Sequence, residues 1–348
     1  MENLEKYLIK STSSVIDVLK KINALPSILT IFVEDNDNKV IGTITDGDIR
    51  RGLINGLTLD TKLEEFIFTE FSFLIDGEDN FNKLEEFRKR KLTAIPLLNK
   101  NRELINIYNF AKIKSILPID AVIMAGGEGV RLRPLTENTP KPLLKVGGKE
   151  IISYNFDRLF QYGIENQYIT VNFLGEQISD YCRNYNKEIN FSIIKEDSFL
   201  GTAGALSLVK SFENDIILLM NSDLLTNIDY EDFYKAFVNK NADMMVASIP
   251  YEVNLPYAIL ETDDSNVKSF KEKPNHTYFA NAGIYLFKKE LLNLIPENKV
   301  YNATDFMEDV IAQNMKLVHY PIRGYWLDIG KHNDFEKAQK DIAHINWE

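Results

Sequence analysis

Asp120-Ala121-Val122-Ile123-Met124-Ala125-Gly126-Gly127-Glu128-Gly129-Val130-Arg131-Leu132-Arg133-Pro134-Leu135-Thr136 is the stretch on which the fold turns. Asp120–Met124 is a short apolar run of strand length. Three glycines follow at 126, 127 and 129. Without a Cβ they let backbone approach a ligand and point several N–H groups at one anion. Arg131, Arg133 and Lys141 of Pro140-Lys141-Pro142 add cations around that turn. A lone Gly-Gly-x-Gly is commonly no more than a tight turn after a strand. Neither standard phosphate fingerprint fits, since no Lys-Ser/Thr follows the last glycine and the G-x-G-x-x-G spacing is missing.

Working outward, residues 118–348 alternate strands and helices. Ile151–Gln161 places Ile152, Phe156, Leu159 and Phe160 on one helical stripe. Tyr168–Asn172 and Phe191–Lys195 read as strands. Asp215–Asn221 reads as a strand covered on both faces. Tyr230–Phe237 then reads as helix and Met244–Ile249 as strand. This rhythm predicts an α/β fold with a Rossmann-like, mostly parallel sheet. Ligands then gather at the carboxyl ends of the strands, where the motifs are expected to fall.

Upstream, residues 1–117 carry a weak repeat. Ser11–Ile54 reads helix, strand, strand, helix, with strands Ile28–Glu34 and Val40–Thr45 around a polar turn. Asp79–Ile116 is expected to repeat the order, with strands Ala94–Leu98 and Leu104–Tyr108. Two such units would pack on one another.

Composition bounds the rest. The 348 residues suit two domains. At 45% hydrophobic and 26% charged, the composition is that of a globular protein. Forty Lys and Arg against 51 Asp and Glu leave a net charge of −11, which argues against a nucleic-acid partner. The one cysteine, Cys182, excludes a disulfide framework and a thiolate metal cage and suits a reducing cytoplasm. The acidic start lacks an apolar leader, and no apolar run is long enough to span a bilayer, so no membrane partner is expected.

Val40-Ile41-Gly42-Thr43-Ile44-Thr45-Asp46-Gly47-Asp48-Ile49-Arg50 resembles the core of a CBS domain, an α+β module found in tandem pairs that often bind adenosine nucleotides. The resemblance implies Thr45 and Asp48 as ribose contacts, a regulatory or assembly role for 1–117, and a homo-oligomer. The plainer alternative has Asp46 and Asp48 capping a helix that starts near Ile49. The second copy has Tyr108-Asn109-Phe110-Ala111 at that place, so one of the two possible sites is lost.

The glycine stretch with Pro140-Lys141-Pro142 closely resembles the signature of sugar-1-phosphate nucleotidyltransferases, departing at Val130, where Thr is usual. The resemblance implies that Ala125, Gly126, Gly127 and Gly129 wrap nucleotide phosphates, Arg131 holds the β- and γ-phosphates, and Lys141 reaches the phosphates during transfer. Asp223 in Met220-Asn221-Ser222-Asp223 and Asp328 in Trp326-Leu327-Asp328-Ile329-Gly330 match the family's metal ligands. Two carboxylates suit Mg²⁺, whose shell is completed by water and phosphate. Each Asp taken singly would read as a turn or cap residue. Leu200-Gly201-Thr202-Ala203-Gly204-Ala205-Leu206 resembles the base-contacting loop of guanylyltransferases, implying Gly201, Thr202 and Gly204 at the base. Glu272-Lys273-Pro274, Asn281-Ala282-Gly283 and Pro256-Tyr257 match sugar-side segments, implying Glu272, Lys273, Asn281, Gly283 and Tyr257 around the sugar phosphate.

His276, His319, His332 and His344 form no recognisable triad, and no nucleophile elbow is present. A sugar phosphate is largely ionised at neutral pH and needs no general base. What remains is alignment of two repelling anions and neutralisation of the leaving pyrophosphate. The expected reaction joins an NTP to a sugar 1-phosphate. The closest resemblance implies GTP and glucosamine 1-phosphate, for legionaminic acid-type synthesis, with thymidylyl and uridylyl transfer as alternatives. A metal-dependent glycosyltransferase and an inactive nucleotide sensor are the rivals from other classes.

Overall fold

The computed structural model describes residues 4–25, 30–78 and 80–347. Its contacts divide the chain into two units, Met1–Leu117 with Gln161–Gly163, and Pro118–Phe160 with Ile164–Glu348.

In the larger unit the apolar runs become seven strands: β1 (Ile119–Met124), β2 (Asn166–Val171), β3 (Asn190–Lys195), β4 (Ile216–Asn221), β5 (Met244–Asn254), β6 (Asn275–Lys288) and β7 (Leu317–Pro321). They form one sheet in the order β3-β2-β1-β4-β6-β5-β7. Only β6 runs against the others. The fold is thus α/β with a mostly parallel sheet. Ala121, Val122 and Ile123 of β1 and Ile217–Met220 of β4 are fully buried, the burial expected of central strands covered on both faces. Buried Asp120 is no exception in cost. Its carboxylate accepts from the Glu213 and Asn214 backbone N–H groups and the Asn214 amide. Strand order reverses between β1 and β4, which opens a crevice at their carboxyl ends.

Strand edges differ from expectation by one or two residues, except at β5. There Met244–Ile249 was expected, but the strand runs on to Asn254. Beyond the sheet, Ile249–Asn254 pairs only with Asn275–Ala280, forming a two-stranded arm. The arm carries the hairpin Ile259–Asp263 with Asn266–Lys271. The ladder shifts register where the arm leaves, between Val246 and Ser248.

The smaller unit holds two three-stranded sheets of one design. Leu8–Lys10 pairs in parallel with Thr30–Glu34, which pairs antiparallel with Val40–Thr45. Leu74–Ile75, Ala94–Leu98 and Leu104–Asn109 repeat the pattern. Each copy therefore opens with a strand that was not expected. Of the expected first-copy strand, Ile28 and Leu29 lie outside the described residues, as does Asp79. The copies share a core, since Leu98 packs with Val33, Val40 and Ile44. The second copy lacks the expected closing helix, because residues 110–117 are irregular. Asn109 Oδ1 accepts the Ala111 N–H in a local turn, and Pro118 disfavours helix just before it.

The first copy closes properly with the helix Asp46–Ile54, which starts three residues before Ile49. Thr45 caps it: the Asp48 N–H donates to Thr45 Oγ1, and the Thr45 N–H donates to Asp48 Oδ2 at 2.8 Å. Asp46 is not a cap but pairs with Arg50 one turn on. The capping reading thus holds for Asp48 and not for Asp46, and the N-cap itself is Thr45, which that reading did not include.

Candidate active site

Three segments converge on the β1/β4 crevice. The first is the glycine turn. A Cβ on Gly126 would lie 2.8 Å from Glu196 Oε1, so a larger residue there would require that carboxylate to shift. Gly129 takes the left-handed region, φ 62°, and hands over to a short 3₁₀ turn, Val130–Leu132. The Thr136 hydroxyl donates to the Gly129 carbonyl at 2.8 Å and fixes this turn. Arg131 then lies against Gly330, where a Cβ would come within 3.3 Å of its guanidinium.

The second segment is Pro140-Lys141-Pro142, a 3₁₀ turn that buries Lys141. Its ammonium bonds Asp223 and stands 3.9 Å from Asp328 Oδ1. The third is a two-strand ladder, Leu224–Thr226 against Trp326–Asp328. It sets Leu224 opposite Asp328, and the Ile329 N–H donates to the Asp223 carbonyl at 3.1 Å. Two aspartates more than a hundred residues apart in sequence thereby flank one lysine.

The electrostatics are unequal. Burial, then the Asp223 charge, pushes Asp328 up to about 6, against the opposing pull of Lys141 and Arg131. Asp223 Oδ1 and Asp328 Oδ1 are both buried and accept no hydrogen bond. Orphaned acceptors of this kind are costly unless something positive completes them. Among the described residues no cluster of three or more His, Cys, Asp or Glu stands ready for a metal. The pair therefore fits a hard divalent cation that takes few protein ligands and draws the rest from water and phosphate.

Between these segments lies a cavity of about 310 Å³. Gly126, Gly127, Gly129, Arg131, Lys141 and Asp223 line it, as do Gly201 and Thr202. Gly201 has φ 81°, and a Cβ there would lie 2.6 Å from the Tyr301 carbonyl. Ala125 and Gly204 are buried and do not line the cavity. Gly204 instead packs against the Lys299 carbonyl, where a Cβ would come within 2.7 Å. Asp328 adjoins the cavity through Lys141.

The sugar-side residues are not gathered with the rest. Glu272, Lys273 and Tyr257 are exposed in the arm region rather than at the carboxyl end of a sheet strand, contrary to expectation. Asn281 Oδ1 accepts the Gly283 N–H at 2.9 Å, and its amide donates to the Tyr285 hydroxyl. Gly283, φ 71°, makes room for the Asn221 amide, which a Cβ would approach to 2.6 Å. Gly283 thus backs Asn221 of the cavity wall, and neither Asn281 nor Gly283 lines the cavity.

Among the lining residues that the sequence reading did not name are Glu196, Phe199 and Asn221. Glu196 directly follows β3, so the rule of strand carboxyl ends could have found it. Its carboxylate accepts the Leu200 N–H at 2.9 Å, and burial raises it above the ordinary range. Asn221 stands in the string that carried Asp223, and Phe199 had no signal at all.

Known proteins match the chain over the region that carries this site. The nucleotidyl transferase family model matches residues 120–345 and the CBS domain model residues 7–55. A D-glycero-alpha-D-manno-heptose 1-phosphate guanylyltransferase of Aneurinibacillus thermoaerophilus is 30% identical over 232 residues, 65% of this chain and 99% of its own. The bifunctional protein GlmU of Methanocaldococcus jannaschii is 31% identical across 64% of this chain. The chain spans 54% of that relative's length, and 64% of a provisionally named mannose-1-phosphate guanyltransferase of Sulfolobus acidocaldarius, 29% identical across 66% of this chain. A solved Bacillus anthracis structure, provisionally named a glucose-1-phosphate thymidylyltransferase, aligns at TM-score 0.53 and 25% identity over 66% of this chain and 97% of its own. With the glycine turn, the lysine and the paired aspartates at one switch point, the chain belongs to the nucleotidyl transferase family and carries a CBS domain ahead of that fold.

Proposed function

We propose that the protein transfers a nucleoside monophosphate from an NTP to a sugar 1-phosphate, releasing pyrophosphate and an NDP-sugar. The observation that carries this reading is the partly buried pair Asp223 and Asp328, each with one buried oxygen that accepts no hydrogen bond, flanking Lys141 beside a glycine turn. Asp223 and Asp328 would hold Mg²⁺, which when bound neutralises phosphate charge. Backbone N–H groups of Gly126, Gly127 and Gly129 bind the nucleotide phosphates. Arg131 offsets charge growing on the leaving pyrophosphate, and Lys141 follows the transferred phosphoryl group. Two anions brought into line by these groups react without a general base, the sugar phosphate attacking the α-phosphorus. Glu272 and Lys273 reach the sugar phosphate from the arm, with Tyr257, Asn281 and Gly283 on the same side.

GTP is the proposed nucleotide. Guanine offers an amide N–H and an amino group on one edge, and the buried Glu196 carboxylate lining the cavity is a matching acceptor. Relatives named as guanylyltransferases agree with this, and a UTP–glucose-1-phosphate uridylyltransferase of Synechocystis supports the alternative base. Glucosamine 1-phosphate is the proposed sugar. Residues 118–348 would carry the chemistry in the cytoplasm, and residues 1–117 regulation or assembly of a homo-oligomer. An adenosine-type nucleotide would bind at Thr45 and Asp48. Among the described residues no helix is long and apolar enough to cross a membrane. Pyrophosphate release from four NTPs against a panel of sugar 1-phosphates tests the reading. Nucleotide binding with no release from any pair would leave a sensor. Consumption of NDP-sugar without pyrophosphate would leave a glycosyltransferase.

A further inference from the structure

Phe199 is the one aromatic side chain among the described residues lining the cavity. It is 50% exposed, although its neighbour Leu200 is only 5% exposed. The backbone beneath it is firmly tied. The Leu200 N–H donates to Glu196 Oε2 at 2.9 Å, which closes the turn that begins at the end of β3. The Leu200 carbonyl accepts the Tyr301 N–H at 2.8 Å, and Gly201 packs at φ 81° against the Tyr301 carbonyl. Among the described residues no other ring or cation packs on Phe199. An apolar ring held out by a braced turn loses hydration free energy without recovering it in packing.

A planar heterocycle has two kinds of surface, a polar edge and an apolar face. Glu196, four residues before Leu200 and in the same turn, is an acceptor for an edge. Among the described residues lining the cavity, Phe199 is the only ring able to cover a face. We propose that Phe199 is the stacking platform for the nucleobase and biases the site towards a purine, whose two fused rings offer more face than a pyrimidine. This rests on the reading of the cavity as a nucleotide site. Because the turn is already braced, the ring is ordered before the base arrives, and little side-chain entropy is lost on binding.

Equilibrium titration of the full-length protein with GTP, UTP and inorganic tripolyphosphate tests it, comparing wild type with Phe199→Tyr, Phe199→Leu and Phe199→Ala. Phe199→Leu and Phe199→Ala should bind GTP roughly tenfold more weakly. UTP should lose less and tripolyphosphate nothing. Phe199→Tyr should restore GTP affinity, which a merely space-filling role would not require. Leu binding GTP as tightly as Phe overturns the inference, and so does an equal loss for tripolyphosphate. A wild type that binds no nucleoside triphosphate at all overturns the functional reading, and this inference with it.

Discussion

The crevice around Lys141 and the exposed arm of this protein are built in opposite ways. Around Lys141, buried groups hold each other: Thr136 pins the glycine turn, a two-strand ladder pairs the aspartate segments, and Gly330 backs Arg131. The arm is held instead by its strand ladders and by exposed pairs such as Lys271 with Glu261 at 2.9 Å. Tyr251, Tyr257, Leu260, Phe270, Tyr278 and Phe279 all stand exposed on or beside its strands. Its ladder slips by a bulge where it leaves the sheet, at left-handed Gly283. Triphosphate chemistry requires charges fixed in advance, because reorganising them during transfer would raise the barrier. Under the proposed function, sugar recognition would fall to an element with little core of its own, which can shift at low cost.

The comparison can be broken first at the aspartates. Asp223→Ala and Asp328→Ala should each cost at least about a hundredfold in turnover while circular dichroism stays unchanged. Near-normal pyrophosphate release across a Mg²⁺ titration, from either variant, would remove that residue from the metal site.

Arg131→Ala comes next. It should lower kcat by roughly a hundredfold with a smaller change in KM for the sugar phosphate, because its charge serves the leaving group. An unchanged kcat with only a raised KM would move Arg131 to the binding side.

On the arm, Lys273→Ala should raise KM for sugar 1-phosphate about tenfold and leave stability within about 0.5 kcal/mol, as expected of an exposed position. A loss of kcat alone, at unchanged KM, would mean that the arm takes part in the braced machinery after all.

The smallest effect sharpens the bracing itself. Glu196 is raised chiefly by burial, against the Leu200 N–H and the Thr170 hydroxyl, which lower it. The folded state therefore binds this proton more readily than the unfolded chain does. The group's contribution to stability is greatest below the ordinary Glu range and falls as pH rises through the raised folded value. Thermal melts of wild type against Glu196→Gln, taken between about pH 4 and 8, should show the variant gaining on the wild type as pH rises. A gap that narrows with rising pH would contradict the burial argument.

Much was legible along the chain because it depends on local chemistry. Apolar runs of strand length, helical stripes and glycine turns announce themselves over ten or fifteen residues. So the α/β fold and the glycine turn could be read before any coordinates, whereas the pairing of Asp223 with Asp328 was implied only by a family resemblance. The extra opening strand of each N-terminal repeat could not, since Leu8–Lys10 and Leu74–Ile75 are too short to show a period and exist only because a neighbouring strand pairs with them. The arm beyond Ile249 escaped notice for a related reason: strand pairing with Asn275–Ala280 extends it, not its own hydrophobic pattern.

By itself the sequence determined which residue types are present for phosphate chemistry and in what order, because glycine, lysine and aspartate have few substitutes in those roles. Tertiary structure alone decided which of them meet. Lys141 sits 82 residues from Asp223 in the chain, yet their side chains bond. Glu196 and Phe199 enter the cavity only because β3 ends beside the crevice and Tyr301 ties the following turn. Glu272 and Lys273 match a motif and still stand outside. Burial, orphaned oxygens and a shifted carboxylate are properties of neighbours in space, and no spacing along a chain specifies them.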